Sequence, residues 1–163
     1  MFRKTLGTII GGVLALALMG FVPQARAESP EANQLTEFKF NQPVRLPHNM
    51  VLPAGTYWFR VPDAANGGNT VQVYNANRTR LLAQLEAITT DRPGNSTISP
   101  TIGDVQLTMA KLPHQIPLLI GWIYPAQLQG HEFVYSPQRE NQIAESGHMM
   151  TLNIAPGGTV SVG

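Results

Sequence analysis

The residues best suited to chemistry stand close together late in the chain. Gly130-His131-Glu132-Phe133-Val134-Tyr135 sets an imidazole beside a carboxylate, and Trp122 and Tyr124 precede them. A carboxylic acid held among aromatic rings has its pKa raised and can serve as a general acid. An enzyme built here would be a hydrolase or carbohydrate-active enzyme centred on Glu132, His131 and Tyr124, with the loop Pro125 to Gly130 as one rim of its cleft. The plainer role for Glu132 is to accept hydrogen bonds that lock a turn. Neighbours in a strand face opposite sides, so His131 and Glu132 would not share one ligand.

Other chemistry finds less support. The four histidines, His48, His114, His131 and His148, show neither the i, i+4 helical spacing nor the His-x-His strand spacing that brings two onto one metal. No metal or cofactor is expected. His48 and His114 each follow a Leu-Pro pair, which suits a turn better than catalysis. There is no Gly-x-Ser-x-Gly elbow, and no His stands recognisably near a Ser and an Asp. The reading assigns no catalytic residue. It keeps Tyr124, His131, Glu132 and Trp58 as candidate ligand-binding residues. Trp58 faces away from Tyr57 and Phe59 and lies next to Arg60; exposed, it could bind a sugar or a partner surface. Covered by a second layer, it would be core, and that is the expectation.

The elements that position these residues read as short strands and turns. Thirteen Pro and fifteen Gly interrupt the chain, with alternating apolar residues between them, an all-β signature. In Tyr57 to Val61 the odd positions form a core face. Thr70 to Asn75 repeats the pattern with Val71 and Val73 inward, and Asn66-Gly67-Gly68-Asn69 supplies a hairpin turn. A second turn around Asn75 to Arg78 leads into Arg80 to Thr90. There Leu81, Leu82, Leu85 and Ile88 would also line a helix, but Leu81, Ala83, Leu85 and Ala87 alternate against Gln84 and Glu86, and strand is the reading taken. After a loop at Arg92 to Gly103, Val105, Leu107 and Met109 alternate with Gln106 and Thr108. Leu118 to Tyr124 is apolar on both alternations and should be a central strand covered on both faces. His131 to Tyr135 makes a short strand, and Pro137 opens a short helix through Glu145 with Ile143 and Ala144 as its apolar side. Met149 to Ile154 ends the sheet. The expected fold is all-β, a mainly antiparallel β-sandwich or open barrel with one short helix near the C-terminus.

"VLPAGTYWFRV", Val51 to Val61, carries the turn into the first of these strands. As a sortase anchoring signal it has Gly55 before Thr56 rather than after it, and it is internal. As a phosphate cradle it offers one glycine feeding a β-branched and aromatic run instead of a helix. The mechanical reading remains: Pro53 fixes φ, Gly55 allows a backbone angle that other residues resist, and a strand begins.

The N-terminus reads as an export signal. Arg3 and Lys4 precede an apolar run of 17 residues from Leu6 to Val22, shorter than the roughly 20 that span a bilayer, and Ala25-Arg26-Ala27 offers small residues for cleavage. The expectation is a signal peptide at 1–27, a linker at 28–37, one β domain at 38–154 and a flexible tail at 155–163. No membrane span would remain after cleavage, and the location would be periplasmic or secreted. From Glu28 onward eight Lys and Arg face ten Asp and Glu, a net charge of −2, which removes the electrostatic motive for nucleic acid. There is no cysteine, hence no disulfide and no thiol chemistry.

The order FKFNQPV, VLPAGTYWFRV, VQVYN and GWIYPAQLQGHEFVYS resembles a family of small, secreted, uncharacterised bacterial β-proteins with an LPAGTY turn and a W-x-Y-P, then G-x-E-F-V-Y, stretch. The likeness spans about Phe38 to Glu145 and departs at Ala126, where glycine is usual, and at Ser136, which delays the proline to Pro137. It implies strands for the ambiguous third segment and an extracytoplasmic place, and it implies no activity. A bacterial setting also makes the glycosylation-like Asn77-Arg78-Thr79 and Asn95-Ser96-Thr97 chance matches. The functional expectation is a non-enzymatic envelope or extracellular module that binds an unidentified protein or glycan.

Overall fold

The computed structural model describes residues 34–62, 68–91, 94, 105–124, 129–155 and 157–163. The expected leader at 1–27, residues 28–33 of the expected linker, the expected turn at Asn66-Gly67, the expected loop at 92–103 apart from Gly94, the Asn95 to Thr97 triplet, residues 125–128 of the expected rim and Pro156 lie outside the described residues.

Alternation of apolar and polar residues gives strands throughout. In chain order they are β1 (Gln34–Phe40), β2 (Val44–Arg45), β3 (Val51–Leu52), β4 (Gly55–Val61), β5 (Thr70–Tyr74), β6 (Leu81–Thr90), β7 (Val105–Lys111), β8 (Leu118–Ile123), β9 (Gly130–Phe133), then helix α1 (Pro137–Ser146), β10 (His148–Ile154) and β11 (Thr159–Val160). They join in one mixed sheet of order β10-β7-β8-β9-β6-β5-β4-β1-β11, with β2 beside β8 and β3 on β2. Among the described residues only β1–β11 and β2–β8 are parallel pairs; the rest are antiparallel. The sheet does not close into a barrel.

Strand β6 lets the sheet fold on itself. Its first part, Leu81 to Glu86, pairs with β5, and its last part, Ala87 to Thr90, pairs with β9. Two walls result, and their inner faces meet in an aromatic core. Phe38 and Phe59 from one wall meet Trp122 from the other at ring-centroid distances of 5.9 and 5.7 Å, all edge-on, and Phe133 lies 5.5 Å from Trp122. Such contacts add to the burial of large apolar area that dominates core energetics. Strand β8 is buried along its whole length, as its double apolar pattern requires.

Several expectations need correction. Residues 34–37, placed in a linker, belong to β1, where Gln34 to Glu37 pair with Val61 to Trp58. In β6 the irregularity at Val73 and Tyr74 pairs Ala83 with Val73 but Leu81 with Tyr74. Leu82 therefore packs against the core, and Leu81 is 46% exposed. Gln106 and Thr108, expected on an outer polar face, are each 2% exposed. Gly94 lies over that face: a Cβ added to it would sit 2.5 Å from the Thr108 methyl and 2.6 Å from Met149 Cε. The C-terminal segment, expected as a loose tail, carries β11, which pairs with Lys39 and Phe40 and buries Val160.

Helix α1 starts where the sequence says. Ser136 caps it by accepting the Arg139 amide at 3.3 Å, with Pro137 in the first turn, where its missing N–H costs nothing. Ile143 packs on the core, while Ala144 is exposed rather than part of an apolar side. No helix among the described residues is long and apolar enough to cross a membrane.

Candidate functional site

Strand alternation separates the residues that the sequence placed side by side. In β9, His131 and Phe133 point into the core, and Glu132 points out of it, opposite Gly121 and Ile88. Glu132 is half-buried, and its Oε2 accepts the Gly94 amide at 2.9 Å. It does not stand among the aromatic rings, because Trp122, Phe133 and Tyr135 all lie on the core side. The carboxylate instead ties the segment at Gly94 to the outer face of the sheet. Gly94 has φ +63°, a left-handed conformation, and its missing Cβ permits the close approach to Thr108 and Met149.

His131 and Tyr124 come together at one end of the core. Their rings lie 6.3 Å apart edge-on, with Trp122 5.6 Å from the imidazole. Strand β1 supplies their polar partners from the same face as Phe38 and Phe40. His131 Nε2 bonds Gln34 Oε1 at 2.7 Å, and the Thr36 hydroxyl donates to the Tyr124 hydroxyl at 2.5 Å. Burial lowers the His131 pKa, and among the described residues its Nδ1 has no hydrogen-bond partner. Burial likewise raises the Tyr124 pKa, with the Thr36 bond working the other way. This layer is a neutral, partly buried end to the core.

Trp58 is half-buried on the outer face of β4. Among the described residues no second layer of the sheet covers it, contrary to expectation. The Arg78 guanidinium lies 4.8 Å from its ring centroid, and its Nε1 donates to the Ala76 carbonyl at 2.9 Å. The β5–β6 turn thus folds back on the indole, giving a cation–π contact in the place a sugar ring would take.

The turn residues behave mechanically. Gly55 has φ 156°, and Tyr57 reaches back over it to donate its hydroxyl to the Pro53 carbonyl at 2.8 Å. His48 and Asn49 have φ 61° and 55°, the two positive angles of a type I′ turn between Pro47 and Met50. His114 has φ 57° after Pro113, and the Gln115 amide bonds Leu112 at 3.3 Å, the pattern of a type II turn. His148 pairs with Lys111 on β10. No group of three or more His, Asp or Glu suited to a metal occurs among the described residues.

A cleft of about 400 Å³ opens elsewhere, between the β2–β3 turn and α1, and its lining includes Arg45, His48, Asn49, Glu86, Tyr135 and Arg139. Tyr135 forms its floor, donating to the Leu119 carbonyl at 2.7 Å and lying 3.2 Å from the Arg45 carbonyl. Burial pushes the Tyr135 pKa far up, and the positive charges of Arg139 and Arg45 pull it partly back. Arg139 donates to Gln115 Oε1 at 2.8 Å, Gln142 Oε1 at 2.9 Å and Asn49 Oδ1 at 3.1 Å. Arg45 donates to the same Asn49 oxygen at 3.2 Å. Sequence reasoning missed this cleft. Its two arginines sit in unrelated stretches, and the available signal was indirect: Arg139 in the first turn of a helix that follows a strand next to the central one.

With this geometry in hand, comparison with protein-family models, with curated proteins and with solved structures finds no match for the chain.

Proposed function

We propose that this chain is an exported, non-enzymatic module of the cell envelope or extracellular space, which binds a protein or glycan and places it without converting it. The observation that carries this reading is the division of labour just described. The acid and imidazole that could do chemistry face opposite sides of β9, one tied to Gly94 and the other enclosed, whereas the concave feature between α1 and the β2–β3 turn offers fixed hydrogen-bond donors. Fixed donors in a concave feature suit recognition, and the Ser136 hydroxyl at its edge is engaged in capping α1. Export rests on the charged, apolar and small-residue succession of 1–27.

Mature protein immobilised and exposed to envelope extract, culture medium and a glycan array should retain a specific protein or sugar unchanged. Conversion of a captured sugar or peptide, abolished by Glu132→Gln in a protein that still folds, would overturn the proposal, since general acid or base work contributes ~10²- to 10⁴-fold in rate. N-terminal sequencing of protein recovered outside the cytoplasm should begin at Glu28. An intact Met1 on membrane-embedded protein would contradict export.

A further inference from the structure

We propose that the cleft between α1 and the β2–β3 turn is an oxyanion site in which Arg45 and Arg139 grip a carboxylate or phosphate group of a small ligand; this deepens the binding-module reading and rests on it. Both guanidinium groups converge on one neutral oxygen, Asn49 Oδ1, at 3.2 and 3.1 Å. Like charges brought to one acceptor repel each other, and an amide oxygen orients them without neutralising them. Arg139 is further fixed by two more neutral oxygens, on Gln115 and Gln142. Among the described residues neither arginine has an ion-pair partner; Glu86 lines the same cleft but bonds neither. Arg45 Nε is buried and, among the described residues, has no hydrogen-bond partner.

Two oriented guanidinium groups without a direct ion-pair partner among the described residues, in a concave site, have the chemistry of an oxyanion clamp. Each presents a planar fork of donors that matches two oxygens of a carboxylate or phosphate, and charge-assisted bonds of this kind are about twice as strong as neutral ones. An arriving anion would relieve the repulsion and take up unused donors together. The cleft volume of about 400 Å³ suits a small molecule, within the range of ordinary ligand pockets. Asn49 is the internal stand-in for that anion. Its positive φ of 55° is one that aspartate also tolerates, so Asn49→Asp would place a carboxylate on both guanidinium groups without disturbing the turn.

The test is calorimetric titration and thermal melting of the mature domain with sodium glucuronate and, separately, inorganic phosphate, against sodium chloride of matched ionic strength. At least one anion should bind saturably and raise the melting temperature beyond the chloride control, and which one does so distinguishes the two sources. Arg139→Gln should weaken that binding roughly tenfold or more, as expected for losing bonds from a charged donor. Asn49→Asp should melt no lower than the parent and lose the anion response. Absence of binding by both anions, or an unchanged response in Asn49→Asp, would overturn the proposal. If it falls while the parent protein still captures a partner from extract, the binding-module reading stands; failure of both capture and anion binding removes the two together.

Discussion

The His131 end of the core and the Arg45–Arg139 cleft are both polar, and both are assembled from segments far apart in the chain, yet they treat charge in opposite ways. At the core end an imidazole and a phenol, which burial shifts toward their neutral forms, meet a hydroxyl and an amide that carry no charge. In the cleft two permanent cations are held by neutral oxygens, with no direct ion-pair partner among the described residues. Ionisable side chains become structural when the fold encloses them with neutral partners. Where the fold fixes a charge without an ion-pair partner, the charge is available to the anion proposed above.

The comparison can be broken from the core side first. Trp122 is fully buried and touches Phe38, Phe59, Phe133 and His131, so Trp122→Ala should cost about 3–5 kcal/mol, measured by chemical denaturation. A much smaller loss would mean that the two walls do not depend on each other. Next in size, Glu132→Ala removes the charged acceptor of the Gly94 amide and should cost about 1–3 kcal/mol, with Glu132→Gln milder because a carbonyl oxygen remains. Unchanged melting in both would deny the tether. Gly55→Ala should cost about 1 kcal/mol, since φ 156° lies where side chains are rarely found. An equal melting temperature would show that the turn does not need glycine.

The smallest effect is the dependence on pH, and its sign follows from burial. The folded His131 pKa lies below the ordinary 6.5, so the unfolded chain takes up a proton first as pH falls. Its contribution is complete above that value and declines as pH drops through it. Tyr124 and Tyr135 are raised above 10.0, so the unfolded chain loses its protons first and stability declines as pH climbs past 10.0. Melts between about pH 7 and 5, above most carboxylate titration, should flatten in His131→Gln. An undiminished acid slope in that variant would place the titrating group elsewhere.

Much of the framework was legible because the relevant physics is local. Period-two alternation marks β4 and β5, a run apolar on both alternations marks β8, Ser136-Pro137 marks the start of α1, and both Leu-Pro-His triplets mark turns with buried leucines ahead of them. The opening of β1 was hidden because Gln34, Thr36 and Glu37 look like linker, yet Gln34 bonds His131 Nε2 and Thr36 bonds the Tyr124 hydroxyl. Leu82 replaced Leu81 in the core through a one-residue irregularity that no alternation pattern records. The tether from Glu132 to Gly94 and the meeting of Arg45 with Arg139 depend on how distant segments pack, which neither spacing nor propensity encodes.

The most direct test compares the parent protein with Asn49→Asp in the same capture experiment, on envelope extract and on a glycan array, while following any conversion of what is bound. The account predicts a specific partner retained unconverted by the parent and lost by Asn49→Asp at undiminished thermal stability. Equal capture by both proteins, or turnover that disappears with Glu132→Gln, would contradict it.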